Sequence, residues 1–262
     1  PGGALRSFAP GVLFEESDDG VDGGLPSPAG AEVEEDGPET APAEEFASAL
    51  DVVRRYRASF AKPLSEVTDE LRRIVGSLNI KAEISQRLKR MDTIIDKLSQ
   101  RETGLSLDRM VDLGGCRVVL DDDSLHDLSR IGEQLKLTWA GDMQANREKD
   151  YISEPRASGY RAKHLVLLKD GRLIEIQLRT ARMHAWAQTM EALGMLVDQN
   201  LKQDQGHSLP QEYGRALSKM YQQIDGSYRM TDQDLVDFQR ISEELSFMFE
   251  KMFDERRLAD GH

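Results

Sequence analysis

The most constraining stretch of the sequence is a predicted β-hairpin over residues 164–179, whose second strand is apolar on one face and polar on the other. Residues 173–179 alternate with a period of two, so isoleucine and leucine side chains share one face. The opposite face carries Glu175, Gln177 and Arg179. The Asp-Gly pair at 170–171 is typical of the turn that joins two antiparallel strands. A sheet containing this hairpin buries one face and groups a carboxylate, an amide and a guanidinium on the other.

The remaining pattern predicts both strands and helices. Residues 110–120 are typical of a turn followed by a buried strand, and a further short strand is predicted over 137–140. Helices are predicted over 44–74 with a break at Pro63, over 125–137, 183–201 and 211–224, and from Thr231 onward. Asp234, three residues after Thr231, completes a start like a capping box. The acidic run 121–123 is interpreted as turn and capping chemistry rather than as a metal site.

A single amphipathic helix is predicted over residues 80–98. Apolar residues recur there at spacings of three and four: Ile80, Ile84, Leu88, Met91, Ile95 and Leu98. Lys89 and Lys97, with Thr93 between them, lie largely away from this stripe, and Arg87 lies toward one edge. Taken alone, such cations indicate a solvated helix face.

The charge of the chain is concentrated near its start. The net charge is −13, and residues 1–50 contain twelve acidic residues and one basic residue. Residues 1–43 lack periodicity, which predicts a disordered acidic tail; shielding of a basic groove is the alternative role. Residues 44–262 are predicted to form one domain, with its core at about 80–190 and C-terminal helices over 191–257.

The cysteine count and the hydropathy pattern exclude several classes of protein. Cys116 is the one cysteine, which excludes an internal disulfide and a four-cysteine zinc site. No apolar run approaches the roughly 18 residues that span a bilayer, and the first residues do not resemble a signal peptide. We therefore expect a cytoplasmic protein without a membrane span. The sequence begins with Pro1 rather than with a methionine. Whether further residues precede it is therefore left open.

The residue types suit a nucleoside triphosphate as substrate. Such a substrate requires cations for its phosphates, carboxylates for Mg²⁺ and a flat surface for its base. The candidate groups are Arg87, Lys89 and Lys97 for phosphates, Asp112 and Glu175 for the metal, Tyr160 for the base, and Arg147, Lys149 and Arg179 for a second phosphorylated substrate. Each residue alone could be structural, since a carboxylate can cap a turn and a tyrosine can fill a core. Their joint occurrence favours a two-substrate site.

Four segments together resemble the synthetase domain of RelA/SpoT-type proteins. They are RLKRMDTIIDKL at 87–98, DLGGCRVV at 112–119, KDYISEPRASGYRAKH at 149–164 and IEIQLRTARMHAWA at 174–187. The resemblance implies an α/β (α+β) fold with a mixed sheet of about five strands flanked by helices, similar to nucleotidyltransferases. It also implies an ATP pyrophosphokinase, in which a 3′-hydroxyl attacks the β-phosphorus of ATP and AMP leaves.

The resemblance implies a role for each matching residue. Arg87, Lys89 and Lys97 would hold ATP, with Arg117 as a supporting cation. Asp112 and Glu175 would bind Mg²⁺, and Glu175 would also activate the attacking hydroxyl. The acceptor side would comprise Arg147, Lys149, Tyr151, Tyr160, His164, Gln177 and Arg179, with the ring of Tyr160 stacked on the acceptor's base. Two positions depart from the family pattern: Thr93 replaces the usual serine, and Ser158 stands where long members often carry asparagine.

The acceptor is left with alternatives. With no hydrolase segment before the matching region, we expect a small stand-alone member. Such members either make guanosine tetra- and pentaphosphate from GDP or GTP, or resemble toxins that modify the 3′-CCA end of tRNA and are neutralised by an antitoxin protein. Stretches such as RASFAKPL at 57–64 resemble the toxin and phage-associated branch more closely, which favours the tRNA-modifying group. A catalytically silent regulator that binds nucleotide is a third hypothesis, and the C-terminal helices could form a homo-oligomer.

Overall fold

A mixed five-stranded sheet forms the centre of the molecule. The computed structural model describes residues 40–101, 104–197, 201 and 208–260, so the tail predicted over 1–43 lies almost entirely outside the described residues. The strands are β1 (Ala82–Leu88), β2 (Gly114–Leu120), β3 (Lys149–Asp150), β4 (Lys163–Lys169) and β5 (Arg172–Arg179). Their order across the sheet is β1-β2-β5-β4-β3. β2 runs parallel to β5, and the other neighbouring pairs are antiparallel. The predicted fold class, with a mixed sheet of about five strands, is confirmed.

The described part of the chain also contains seven α-helices. They are α1 (Thr40–Ala58), α2 (Ala61–Ser77), α3 (Met91–Asp96), α4 (Leu125–Thr138), α5 (Ala181–Val197), α6 (Leu209–Asp225) and α7 (Asp232–Asp260). Of these helices, α2, α4 and α5 pack against the sheet. A π-helical turn, Lys97–Arg101, continues α3, and single 3-10 turns occur at Leu107–Arg109 and Ala145–Arg147. None of these helices is long and apolar enough to cross a membrane.

The predicted hairpin is confirmed as the pair β4 and β5. Asp170 and Gly171 form its turn with φ angles of 49° and 71°. Positive φ at both central residues gives the turn whose twist matches the twist of the flanking strands. A glycine adopts this conformation without a Cβ penalty.

The helix predicted over residues 80–98 is wrong. The chain forms the edge strand β1 there, and a short helix, α3, follows it. Ile84 and Leu88 are four residues apart, a spacing that fits one face of a helix and also one face of a strand. The pairing of β1 with β2 over seven residues, from Ala82↔Leu120 to Leu88↔Gly114, decides for the strand. Arg87, Lys89 and Lys97 therefore lie on three different local structures.

Of two smaller predictions about the segment 121–140, one is wrong and the other holds in part. The strand predicted over 137–140 is wrong, because α4 continues to Thr138 and the amide of Trp139 still donates to the Leu135 carbonyl at 3.0 Å. The N-cap of α4 is Ser124, whose hydroxyl accepts from the amide of Asp127. In the acidic run, Asp122 accepts from the amide of Ser124 at 3.0 Å, as the predicted turn chemistry requires. Asp123 accepts from the amide of Arg182 at the start of α5 and also forms an ion pair with its side chain, so its capping contact is with α5 rather than α4.

The main hydrophobic core lies on one face of the sheet, under α2 and α4. Leu71 of α2, Ile131 of α4 and Ile176 of β5 are fully buried in it. A second cluster joins α5 and α6 around Trp186, whose indole donates to the carbonyl of Gly214 at 2.7 Å. Because alternate residues of a strand face opposite sides, the polar residues of β2 and β5 are left facing away from the main core.

The capping start predicted for the last helix is confirmed. The amide of Asp234 donates to the hydroxyl of Thr231 at 3.1 Å, and the amide of Thr231 donates to the carboxylate of Asp234 at 2.9 Å. This reciprocal pair satisfies two donors at the start of α7.

Candidate active site

A polar cavity of about 280 Å³ lies over β1, β2 and β5. The parallel register of β2 and β5 sets Gly115 beside Glu175 and Arg117 beside Gln177, on the face opposite the main core. The cavity is lined by Ser85, Gln86, Arg87, Lys89, Asp112, Gly115, Cys116, Arg117, His164, Glu175 and Gln177. Seven of the thirteen site residues predicted from the sequence thus line one cavity.

Gly115 allows β2 and β5 to approach closely beneath this cavity. A Cβ atom on Gly115 would lie 2.9 Å from the main-chain oxygen of Glu175, which is closer than such atoms pack in proteins. A larger residue at this position would therefore displace the strand that carries Glu175. The pair of glycines after Asp112 is explained by this contact and by the packing of Phe60 on Gly114.

Two lysines neutralise Asp112 on the donor side of the cavity. Lys89 donates to Oδ2 of Asp112 at 2.9 Å, and Lys97 donates to Oδ1 at 3.1 Å. Burial raises the pKa of Asp112, but the hydrogen bonds and charges of the two lysines outweigh it and bring the pKa below its ordinary value. The carboxylate is therefore ionised at neutral pH.

Glu175 is held by one partner on each oxygen. Nδ1 of His164 lies 2.9 Å from Oε1, and the amide of Gln177 donates to Oε2 at 2.7 Å. Burial raises the pKa of Glu175, and the nearby Asp112 adds to this, but the contacts with His164 and Gln177 bring the pKa below its ordinary value. A carboxylate has about four acceptor positions, so each oxygen can still accept another hydrogen bond.

The hydrogen bonds behind Glu175 assign the tautomer of His164. The hydroxyl of Tyr160 accepts from Arg179 at 2.8 Å and lies 2.7 Å from Nε2 of His164. Because the single phenolic proton is then free to bond Nε2, the imidazole accepts there and donates from Nδ1 to Glu175. Arg179 also donates to Oε1 of Gln177 at 3.1 Å, which closes the network.

The ring of Tyr160 is covered. Only 8 % of Tyr160 is exposed, and its ring makes edge contacts with Tyr151 and Trp186 at centroid distances of 5.8 and 6.0 Å. Burial raises the pKa of its hydroxyl, although Arg179 opposes the rise. The guanidinium of Arg179 lies over the ring, 5.2 Å from its centroid. The predicted stacking of Tyr160 on an acceptor base stays a prediction.

Guanidinium groups gather on the floor of the cavity. Burial lowers the pKa of Arg117, and the positive charges of Arg179 and Arg87 lower it further. Nε of Arg117 is buried without a hydrogen-bond partner, and no carboxylate of the described residues forms an ion pair with Arg87 or Arg117. Crowded cations with an unsatisfied donor are typical of a site that receives an anion.

The loop that carries Tyr160 is held by α6. Gly159 has a φ of 93°, and a Cβ there would lie 2.9 Å from the Cβ of Ser218. Arg161 forms a buried ion pair with Asp225 at 2.6 Å and donates to the hydroxyl of Ser227 at 3.0 Å. The last turn of α6 thereby orients the segment that presents Tyr160 and His164.

Several predicted and unpredicted residues lie at the edges of this arrangement. Lys97 reaches the cavity through Asp112, and Arg179 and Tyr160 reach it through Gln177 and His164. Arg147, Lys149 and Tyr151 lie outside its lining; Lys149 is an exposed residue of β3 opposite His164.

The sequence reasoning missed Ser85, which alternates with Arg87 on β1 and would have been found had 82–88 been recognised as a strand. It also missed Arg161 and Asp225, whose pairing over 64 residues leaves no local signal.

The residues present fit a magnesium ion that arrives with a nucleotide. Among the described residues no group of three or more histidine, cysteine or acidic side chains could hold a metal by itself. Asp112 and Glu175, however, are two ionised carboxylates on one cavity, and Mg²⁺ is commonly bound by one or two carboxylates together with phosphate oxygens. Because Lys89 and Lys97 already neutralise Asp112, the two carboxylates alone offer Mg²⁺ little negative charge. The phosphates of the nucleotide would therefore have to arrive together with the ion.

Sequence comparisons identify the region that contains this cavity. Residues 86–194 match the model of the region found in RelA and SpoT proteins. The chain is 32% identical over 121 residues to a GTP pyrophosphokinase of Brucella melitensis, covering 46% of this chain and 15% of that protein. It is 32% identical over 106 residues to a probable chloroplastic GTP diphosphokinase of Arabidopsis thaliana, covering 40% and 14%. The chain thus spans about 15% of the length of the first of these relatives.

Solved structures share the fold. A small alarmone synthetase of Bacillus subtilis, bound to its product pppGpp, matches with a TM-score of 0.56 and 23% identity over 66% of this chain and 93% of that one. A GTP pyrophosphokinase family protein of Streptococcus pneumoniae matches with a TM-score of 0.51 and 23% identity, over 70% and 90%. The matched region contains most of the cavity lining and both carboxylates, so the candidate active site lies in the part of this chain that matches the region found in RelA and SpoT proteins.

Proposed function

We propose that this protein is a magnesium-dependent pyrophosphokinase that transfers the β,γ-pyrophosphate of ATP to a 3′-hydroxyl group. The observation that carries the proposal is the grouping of Asp112 and Glu175 with Arg87, Lys89 and Arg117 around one cavity. The family of the domain and the GTP pyrophosphokinases among its relatives support the same reaction.

The geometry supports a division of labour between the residues. In the transfer, the acceptor's 3′-oxygen forms a bond to the β-phosphorus of ATP. The bond from that phosphorus to the oxygen that bridges it to the α-phosphorus breaks, and AMP leaves with this oxygen. Glu175 accepts the hydroxyl proton, and its contacts with His164 and Gln177 keep it ionised beforehand. Arg87 and Arg117 attract the phosphates into the cavity. When bound, Mg²⁺ supplies charge neutralisation for the triphosphate, and Asp112 and Glu175 would hold it.

The acceptor that we propose is GDP or GTP. Two comparisons support a guanine nucleotide as the acceptor. The Brucella relative is named a GTP pyrophosphokinase, and the similar B. subtilis structure contains its product pppGpp. The charge of the chain agrees with a small acceptor: residues 51–262 contain 35 acidic and 33 basic residues, whereas tRNA-binding surfaces are generally strongly basic.

The 3′-CCA end of tRNA, favoured by the sequence resemblance, is the second candidate acceptor. The observation in its favour is the exposed Lys149 beside His164, outside the cavity, where a nucleic-acid backbone could meet it. An antitoxin partner and assembly through the C-terminal helices stay predictions.

Transfer of label from ATP tests both the reaction and the acceptor. The full chain is incubated with Mg²⁺, ATP labelled at the γ-phosphate, and GDP, GTP or deacylated tRNA. We expect label in the guanine nucleotides together with release of AMP. Label in tRNA alone would support the second candidate, and label in none would support a silent nucleotide-binding regulator.

The variant Glu175→Gln is the control for the chemical step. It keeps the shape of the side chain but removes the base, and general-base catalysis typically contributes about 10²–10⁴-fold. We expect AMP release to fall by that order, while the unfolding midpoint changes little. Unchanged turnover would contradict the role of Glu175.

A further inference from the structure

The connection between α1 and α2 packs against the end of the sheet that carries the candidate active site. We define residues 56–60 as the α1–α2 elbow. Phe60 is fully buried, and a Cβ atom added to Gly114 would lie 2.8 Å from its ring. Tyr56 contacts Phe60 edge-on at 5.6 Å. The elbow therefore touches β2 at its first residue, two positions after Asp112.

The elbow also holds the first residue of β5. The guanidinium of Arg172 lies 4.7 Å from the centroid of the Tyr56 ring, and its Nε donates to the hydroxyl of Ser59 at 2.7 Å. Arg172 precedes Glu175 by three residues on the same strand. One short segment thus contacts both the strand that follows Asp112 and the strand that carries Glu175.

A third contact reaches the donor-side lysine directly. Nε of Arg57 donates to the main-chain carbonyl of Lys89 at 2.7 Å, across 32 residues of sequence. The amide of Lys89 in turn donates to the carbonyl of Leu113 at 2.8 Å, and its ammonium group donates to Asp112. The peptide of Lys89 follows the last residue of β1 and is therefore held by the elbow on one side and by β2 on the other.

We propose that Arg57 is a positioning residue for the ATP half of the site, acting through the main chain of Lys89. The inference rests on the proposed function, because it names the part of the site that Arg57 serves. Arg57 lies outside the cavity lining, so its effect is on the placement of Lys89 rather than on the nucleotide itself. Acceptor binding, which involves residues of β4 and β5, should be insensitive to it.

The side chains available at position 57 separate the hydrogen bond from the charge. Glutamine carries an N–H donor at the same number of bonds from Cα as the Nε of arginine, but no charge. Lysine carries the charge, but has carbon at that position. Arg57→Gln therefore keeps the bond to Lys89, Arg57→Lys keeps only the charge, and Arg57→Ala removes both. Arg54→Ala is the matched control, since Arg54 is an exposed residue of the same helix.

Binding of α,β-methylene-ATP with Mg²⁺, measured by calorimetry on the full chain, is the primary readout. We expect Arg57→Ala and Arg57→Lys to weaken binding by roughly threefold to tenfold, the effect of one part-buried hydrogen bond, and Arg57→Gln to bind within about twofold of wild type. In turnover, KM for ATP should rise in the first two variants while KM for the acceptor stays unchanged. Arg54→Ala should behave as wild type.

Three results would overturn the proposal. In the first, Arg57→Lys binds normally and Arg57→Gln does not, which would assign the effect to charge. In the second, Arg57→Ala binds as well as Arg54→Ala. In the third, KM for both substrates and the unfolding midpoint change together, as expected for general destabilisation. If wild type binds the analogue but transfers no label, the proposed function fails, and the binding series still decides the role of Arg57.

Discussion

His164 and Glu175 share a hydrogen bond of 2.9 Å between Nδ1 and Oε1, across two adjacent strands of the hairpin. They are diagonal neighbours, because His164 pairs with Gln177 in the β4–β5 register. The phenol of Tyr160 bonds the other imidazole nitrogen, so the histidine is oriented from behind. A carboxylate presented in this way is ionised, fixed in direction and open to a proton from the cavity.

Removal of the imidazole should shift the pH dependence of the reaction. The contact with His164 lowers the pKa of Glu175, and a general base must be ionised to act. Without that contact the pKa of Glu175 rises, so in His164→Ala the acidic limb of the kcat/KM profile should move to higher pH. The profile is measured by AMP release between about pH 5 and 9. His126→Ala, at an exposed position of α4, should leave it unchanged; an unshifted limb in His164→Ala would contradict the pairing.

Chelation of magnesium should abolish activity without unfolding the protein. Asp112 is already neutralised by Lys89 and Lys97, so the folded state does not depend on a metal at this carboxylate. We expect EDTA to stop product formation and to weaken α,β-methylene-ATP binding, while the thermal midpoint without nucleotide stays the same. A clear fall in that midpoint on chelation would indicate a resident structural metal instead.

The close approach of β2 and β5 predicts a cost for Gly115→Ala. The new methyl group would lie 2.9 Å from the Glu175 carbonyl, and overpacking of this kind costs about 1–3 kcal/mol. Activity should fall further than stability, because the displaced strand carries Glu175. Urea unfolding and AMP release measure the two effects. Gly76 lies in α2, and a Cβ atom added there would have no neighbouring atom within 4 Å. Gly76→Ala should therefore stabilise the protein by about 0.5–1 kcal/mol.

The ion pair that anchors the loop of Tyr160 to α6 should dominate the stability of the C-terminal helices. The side chains of Arg161 and Asp225 are 3% and 5% exposed. Because Asp225→Ala leaves a buried guanidinium unpaired, it should lower the free energy of unfolding by about 3–5 kcal/mol. The double variant Arg161→Met with Asp225→Leu should lose less than the single one. Glu244→Ala, in an exposed pair with Arg240, should leave the free energy of unfolding nearly unchanged in the same urea titration, because solvent screens an exposed ion pair.

Local patterns determined the parts of this protein whose structure is decided within a few residues. The period of two over 173–179 and the Asp-Gly turn sufficed for the hairpin and for the shared face of Glu175 and Gln177. Thr231 and Asp234 likewise sufficed for the start of α7, because a capping pair bonds across three residues. The segments that resemble the RelA/SpoT family contain most of the residues that line the cavity. The resemblance therefore predicted most of these residues as site residues from the sequence alone.

Only the tertiary structure decided what depends on distant partners. Ile84 and Leu88 satisfy a helical and an extended period equally, and the hydrogen bonds from β2 select the strand. The burial of Tyr160 follows from Trp186, 26 positions later in the chain. The contacts of Arg57 with Lys89 and of Arg161 with Asp225 join residues 32 and 64 positions apart. A local sequence period cannot encode such contacts, since they arise only when the packed core brings separate elements together.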